Sequence, residues 1–207
     1  MSTSKSGSRT LFWSVLMSTP GPLVVGLGLL AGRSSTQIAD FFRRSAELLA
    51  IIMSFVVYQI TVKDGICNEK QRGKLEQYSN IFVGIMMCFG GIFMGLLTLS
   101  SETADKGNVI PGLTIAILGV IANTIFWRKY TRLNRVDPNA ILAVQARLYR
   151  AKSLVDACVT IALLSVAIAP MSSISFWLDF AGSLIVALYL IRCGIQTIQE
   201  SVKRGTN

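Results

Sequence analysis

The segment from Gln77 to Ser100 contains no charged residue, and this run restricts the folds open to the chain more than any other feature. It is longer than the roughly 18–20 apolar residues that a helix needs to cross the hydrocarbon core of a bilayer. The composition agrees, because 52% of the 207 residues are hydrophobic and only 15% are charged. A soluble domain of this length seldom combines so many apolar residues with so few charges. The sequence therefore predicts an all-α integral membrane protein.

Further apolar segments accompany this run and give six predicted transmembrane helices. Pro20 and Pro22 lie within the first, where they should bend or locally unwind the helix. The connections are too short for a separate soluble domain, so residues 11–200 form one membrane domain between tails at 1–10 and 201–207. The six predicted spans are residues 11–31, 36–62, 77–100, 109–130, 140–169 and 174–198.

Basic residues are concentrated in alternate connections. Of the 20 Lys and Arg residues, twelve lie in the two tails and the second and fourth loops, whereas the opposite side has only Arg33 and Lys106. The positive-inside rule therefore predicts that both termini face the cytoplasm. The same rule accounts for the net charge of +9, so we expect no binding to nucleic acid.

The sequence offers few groups for metal binding or catalysis. It has no histidine, which is the usual proton shuttle near neutral pH and a common metal ligand. Its cysteines are scattered without CxxC spacing and are interpreted as small apolar residues. The sequence shows no nucleophile–base pair and no phosphate-binding loop. We therefore expect a protein that is not an enzyme, with no cofactor and no resident metal ion.

The second span begins with an ionic stripe in the segment ADFFRRSAE, residues 39–47. Asp40, Arg43, Arg44 and Glu47 recur at helical spacing, so they share one helix face. Charges that face lipid are costly, so this face must turn toward a partner helix or a water-filled cavity. The spacing predicts ion pairs within the helix, between Asp40 and Arg44 and between Arg43 and Glu47.

The fifth span repeats this pattern. Lys152 and Asp156 are one helical turn apart, and Tyr149 extends the same face. Arg147 and Arg150 lie nearer the predicted cytoplasmic end, where they would snorkel to the surface or line an entrance. Both spans are expected to face one central cavity, unless their ion pairs only fix helix packing. The transport-site candidates are Arg43, Glu47, Lys152 and Asp156, and the supporting residues are Asp40, Arg44, Arg147, Tyr149, Arg150 and Asp179.

Four segments in order along the chain carry a family resemblance. They are ADFFRRSAE at 39–47, RGKLE at 72–76, KSLVDACVT at 152–160 and LDFAGSLIVALYLIRCGIQTIQES at 178–201. The first three resemble the patterns A-D-x-x-H/D-x-x-x-D, G-x-G-K-x-E and H/D-x-x-x-D-A-x-x-S, and the fourth resembles a characteristic last helix. These are features of the cation diffusion facilitator family, the dimeric efflux transporters of zinc and other divalent cations.

In this family a divalent cation binds near the middle of the membrane and is exchanged for protons by alternating access. The resemblance implies the same fold, a homodimer in the lipid bilayer, a small ion as substrate, and a multi-pass location in a bacterial inner (cytoplasmic) membrane. It aligns Arg43 and Lys152 with the first metal ligand of each helix, and Glu47 and Asp156 with the second. The chain ends soon after Ser201, so we expect no C-terminal cytoplasmic domain.

Two cationic side chains therefore stand where the family has metal ligands. A divalent cation needs neutral or anionic donors, whereas Arg43 stays protonated and Lys152 adds a second positive charge. We expect Arg43 to neutralise Glu47 and Lys152 to neutralise Asp156. The first hypothesis is proton-coupled efflux of an ion other than zinc, with Lys152 as the group that carries the exchanged proton. The alternatives are a divalent-cation/proton antiporter with an altered site and a non-transporting structural or regulatory subunit.

Overall fold

The computed structural model describes residues 2–31, 35–62, 68–100, 110–168 and 173–206, and all regular structure in these residues is helical. The helices within them are α1 (Ser2–Ser18), α2 (Pro20–Ala31), α3 (Ser35–Val62), α4 (Glu69–Ser100), α5 (Ile110–Val136), α6 (Ala140–Ile168) and α7 (Ser173–Thr206). The predicted all-α class is therefore confirmed for the described residues. Three segments are long and apolar enough to cross a bilayer, Arg44–Val62, Glu69–Leu99 and Phe180–Lys203.

The first predicted span is divided into two helices, α1 and α2. The first helix ends at Ser18, and the second begins at Pro20. Between them, the backbone N–H and the hydroxyl of Thr19 both donate to the Val15 carbonyl, at 3.0 and 2.8 Å, and so close the last turn of α1. Proline suits the first position of a helix because the N–H that it lacks would have no partner there. The interruption expected from the two prolines is thus present.

A side-chain cap fixes the start of α6, the helix that carries two of the predicted site residues. Asn139 follows Pro138, and its side-chain oxygen accepts hydrogen bonds from the backbone N–H groups of Ile141 and Leu142, at 2.9 and 3.3 Å. This is the usual way in which asparagine satisfies the free donors at a helix N-terminus. From this cap α6 runs without a break to Ile168.

Two pairs of helices make the most extensive contacts, α4 with α7 and α5 with α6. The backbones of α4 and α7 approach closely at two glycines. A Cβ atom on Gly84 would lie 2.9 Å from the carbonyl oxygen of Gly194, and one on Gly91 would lie 2.8 Å from that of Ala187. Small residues permit such close packing between membrane helices. These two glycines of the third predicted span therefore serve packing within the chain.

A layer of buried and partly buried aromatic rings joins α5 to α6. Phe126 and Tyr130 of α5 lie against Tyr149 of α6, with ring centroids 5.1 and 5.4 Å from that of Tyr149. The Tyr130 hydroxyl donates to Ser14 Oγ at 2.7 Å and so ties α5 to α1. The ammonium of Lys152 lies 5.2 Å from the centre of the Tyr149 ring. The layer therefore supports one side of the region that contains Lys152.

Candidate functional site

A cavity of about 550 Å³ lies between α1, α2, α3, α5 and α6. The interruption between α1 and α2 forms part of its wall through Ser18 and Gly21, and α5 contributes mostly apolar side chains. The charged side chains that line it, among those that the structure describes, are Arg44 and Glu47 of α3 and Lys152 and Asp156 of α6. The structure thus brings charges of both ionic spans to one cavity.

The central contact of the cavity is an ion pair between two helices. Lys152 Nζ of α6 lies 3.3 Å from Glu47 Oε2 of α3, and each side chain is only 14% exposed. Two opposite charges at this distance and burial attract each other more strongly than a surface pair, although both have lost solvation. The pair therefore connects α3 to α6 at the point where the cavity is charged.

Asp156 is held by α5. Asn123 Nδ2 donates a hydrogen bond of 2.6 Å to Asp156 Oδ2. One helical turn before Asn123, a Cβ atom on Gly119 would lie 2.5 Å from the same oxygen, so only glycine leaves room for the carboxylate there. One turn along α6, the Thr160 hydroxyl donates to the Asp156 backbone carbonyl at 2.7 Å. The carboxylate is therefore fixed against α5 by a short polar contact.

Arg44 lies beside the interruption between α1 and α2. A Cβ atom on Gly21 would be 3.4 Å from Arg44 Nη1, so the guanidinium packs against the first turn of α2. Ser18, the last residue of α1, lines the same cavity, and its hydroxyl lies 3.3 Å from that of Tyr149. The two helices at the interruption therefore contribute the small residues Ser18 and Gly21 to the wall of the cavity, together with Met17 and Pro22.

The charged groups described at the cavity do not form a divalent-metal site. Among the described residues, the charged side chains of the lining are two cations and two anions. In the part of the chain that the structure describes, no three His, Cys, Asp or Glu side chains lie together in a way that could hold a metal ion. The Lys152 ammonium occupies one side of the Glu47 carboxylate, where a cation would have to bind. This donor set does not fit zinc, which requires four neutral or anionic ligands.

Lys152 has a partner that the sequence spacing did not predict. The spacing predicts that Lys152 neutralises Asp156 within α6, and the structure adds a 3.3 Å contact between its ammonium and Glu47 of α3. Asp156 also accepts a hydrogen bond from Asn123 of α5. The side chains of Asp40, Arg43 and Asp179 lie outside the described residues, so the predicted pairs that involve them stay predictions.

Arg147 and Arg150 are not part of this cavity's lining. Arg147 makes hydrogen bonds of 2.9 Å to Glu200 Oε2 and to Thr197 Oγ1, and so joins α6 to α7. Arg150 is exposed, and its guanidinium lies 5.8 Å from the centre of the Trp127 ring. The expectation that both snorkel to the surface or line an entrance stays a prediction, and the structure adds an ion pair between helices for Arg147.

Sequence reasoning did not identify the contribution of α5 and of the helix interruption. Asn123 was available as a signal, because it is a strongly polar side chain in an otherwise apolar stretch of the fourth span. Gly119 and Gly21 gave no comparable signal, since a glycine in a membrane helix most often serves helix packing. Their role depends on which side chain of another helix lies opposite.

A comparison with known protein families found a match. The model of the cation efflux transmembrane domain matches residues 11–204. This region contains the charged side chains described at the cavity. No curated protein matches the chain in sequence.

Proposed function

The chain belongs to the cation efflux family, and on this premise we propose that it is a secondary transporter that exports an ion other than zinc in exchange for protons. Membership of the family supports a multi-pass membrane protein of the cation diffusion facilitator type, with an ion as its substrate. The proposal adds two points to what family membership supports: the class of ion that is carried, and the exchange of this ion for protons. One observation carries it, the ion pair between Lys152 and Glu47 inside the cavity.

This ion pair makes the cavity unfavourable for a doubly charged cation. Two unit charges 4 Å apart interact by about 4 kcal/mol at an effective dielectric constant of about 20. A divalent cation bound to Glu47 near the Lys152 ammonium is repelled by this amount for each of its two charges. The lysine also competes for the carboxylate, since it already occupies that position as a bound cation.

Asp156 and Asn123 are the polar groups that we assign to the cargo. Asp156 supplies one negative charge, and Asn123 supplies a neutral amide beside it. Carboxylate and amide oxygens are suitable ligands for hard cations. The charged side chains described at the cavity, two cations and two anions, sum to no net charge. Each positive charge of a cargo is therefore added to a neutral cavity, and this favours a singly charged cation over a divalent one.

Exchange follows if a proton and the cargo compete for the same carboxylate. We assign the proton to Asp156 in place of Lys152, which the sequence suggested, because the neighbouring Glu47 carboxylate favours the charged form of Lys152. Ionised Asp156 attracts the cation, and protonated Asp156 has no charge with which to hold it. Alternating access then requires that the loaded and the protonated forms change the side to which the cavity opens. Such a cycle moves cargo in one direction and protons in the other.

We also propose that both termini face the cytoplasm and that the protein works as a homodimer. The unequal distribution of Lys and Arg between the two sets of connections supports the orientation. The homodimer is supported by the resemblance to dimeric transporters alone.

The proposal is tested by flux measurements on purified protein in liposomes. A pH-sensitive dye inside the vesicles reports proton movement when Na⁺, K⁺, Rb⁺, a small organic ammonium ion, Zn²⁺ or Mn²⁺ is added outside. We expect a response to at least one singly charged cation and none to Zn²⁺. Asp156→Asn should abolish this response, whereas the matched control Asp137→Asn, which removes an exposed acid just after α5, should keep it.

The other possible results separate the alternatives. Proton movement driven by Zn²⁺ or Mn²⁺ contradicts the proposal and favours a divalent-cation antiporter with an altered site. Folded protein that responds to no cation favours a non-transporting subunit, in which the ion pair of Lys152 and Glu47 holds α3 against α6. In that case a double-mutant cycle of these two residues should show coupling in stability.

A further inference from the structure

A second cavity of about 380 Å³ lies at the other end of α3, between its last turns and the first half of α1. It is lined by two helical stripes, each with residues at i, i+4 and i+7. The stripe on α1 consists of Lys5, Arg9 and Phe12, and that on α3 of Phe55, Gln59 and Val62, with Ser8 between them. It is separate from the charged transport cavity and is open to the surroundings.

The groove changes from basic to aromatic along its length. Lys5 and Arg9 are both exposed and lie at its N-terminal end. Phe12 is 52% exposed, and its ring centroid lies 6.2 Å from that of Phe55 at the other end. The distance along α1 from Lys5 to Phe12 is about 10 Å at 1.5 Å per residue. A ligand that fits must therefore be anionic at one end and apolar at the other, within a short distance.

Two contacts hold the groove in shape without a ligand. Gln59 Nε2 donates a hydrogen bond of 2.7 Å to Ser8 Oγ, which joins the two stripes at mid-length. On the neighbouring face of α1, a Cβ atom on Gly7 would overlap the Tyr58 hydroxyl, so α1 and α3 touch there through a residue without a side chain. The first turns of α1 are thus fixed against α3, so the backbone that carries Lys5 and Arg9 is held in place.

We propose that this groove binds one anionic phospholipid, with its phosphodiester on Lys5 and Arg9 and its glycerol and first acyl carbons on Phe12 and Phe55. Charge complementarity selects the anionic headgroup, because basic residues at a membrane surface attract anionic lipids. The exposed phenylalanine selects a lipid over a free phosphate ion, which gains nothing from an aromatic surface. The site is independent of the ion that the central cavity carries.

Native mass spectrometry of the detergent-purified protein tests this, with phosphatidylglycerol and phosphatidylcholine added in turn. The variant Lys5→Gln/Arg9→Gln should bind phosphatidylglycerol about 25-fold more weakly, about fivefold for each basic side chain. The matched control Arg132→Gln/Arg135→Gln removes the same charge from two exposed positions outside the groove, near the end of α5, and should bind as the unaltered protein does. Phe12→Ala should also weaken binding, whereas Phe89→Ala, which removes another exposed phenylalanine, on α4, should not.

The results that overturn the proposal are equally distinct. Equal losses in the two double variants show a general charge effect, and equal binding of phosphatidylcholine removes the need for an anionic headgroup. Thermal stabilisation by inorganic phosphate equal to that by phosphatidylglycerol assigns the site to a free anion. Thermal unfolding of each variant without lipid checks that it is folded, so a loss of binding cannot come from misfolding.

Discussion

Replacing Lys152 by methionine should turn the central cavity into one that binds divalent cations. The change keeps most of the volume of the side chain and removes its charge. Among the described residues of the lining, Glu47 and Asp156 then remain as two anions with Arg44 as the one cation, and the ammonium no longer occupies the position beside Glu47. We expect Lys152→Met to bind Mn²⁺ or Zn²⁺ with an affinity that the unaltered protein lacks.

The size of the effect follows from the geometry of the ion pair. A divalent ion on Glu47 about 4 Å from the Lys152 ammonium is repelled by about 8 kcal/mol at an effective dielectric constant of about 20. If the lysine swings away to about 8 Å, the repulsion is still about 4 kcal/mol. Since about 1.4 kcal/mol is a factor of ten in affinity, the variant should gain between about three and six orders of magnitude.

Isothermal titration calorimetry of the purified variant with Mn²⁺ and Zn²⁺ measures this gain. Removing one partner of a buried pair leaves the other charge uncompensated and destabilises by about 3–5 kcal/mol, so thermal unfolding is recorded in parallel. Two matched controls separate charge from packing. Glu47→Gln should be destabilised without gaining metal affinity, and Glu47→Gln/Lys152→Met should regain much of the stability and also bind no metal.

One result would refute the reasoning. If Lys152→Met is folded and still binds no divalent cation at millimolar concentration, then repulsion by the ammonium is not what excludes these ions. If the doubly neutral variant binds metal as well as Lys152→Met does, the binding does not involve Glu47.

Two other substitutions test contacts that depend on glycine. Gly119→Ala should lower cation-driven proton flux about tenfold or more while the protein stays folded. The reason is that the new Cβ would come within 2.5 Å of Asp156 Oδ2 and displace the carboxylate. Unchanged flux would show that transport does not depend on the position of this carboxylate. Gly84→Val should lower the free energy of unfolding by about 1–3 kcal/mol through overpacking, since its Cβ would meet the backbone oxygen of Gly194 at 2.9 Å. Gly73→Val is the control on the same helix, with nothing within 4 Å of its Cβ, and thermal unfolding in detergent compares the two.

The helical class and the order of the helices were predictable because apolar runs of this length leave few other folds. The helix ends were not, since hydropathy reports where a chain meets lipid and not where its hydrogen bonds stop. The third span was predicted to begin at residue 77, whereas α4 begins at Glu69, just after Asn68. Similarly, α5 continues past residue 130 to Val136 through a basic segment. Both extensions consist of polar helical turns, and a hydropathy pattern detects only the apolar part of a helix.

For the site, sequence spacing identified the charged faces but not the partners across helices. Spacing of four residues brings two side chains together only within one helix. The contact of Lys152 with Glu47 depends on how α3 and α6 are rotated relative to each other, and this rotation cannot be derived from residue spacing. The same holds for Asn123, which was visible as a polar residue and gained a role only when α5 was placed beside Asp156.

The ion pair between Lys152 and Glu47 has a consequence for the electrical behaviour of the transport cycle. Moving one unpaired elementary charge through a potential of 100 mV involves about 2.3 kcal/mol. Because Glu47 has a tethered counter-ion, it contributes no net charge when the carrier returns without cargo. In the proposed exchange a singly charged cargo and a proton occupy Asp156 in turn, so the loaded and the returning forms carry the same net charge. We therefore expect the overall exchange of one cargo ion for one proton to depend little on membrane voltage.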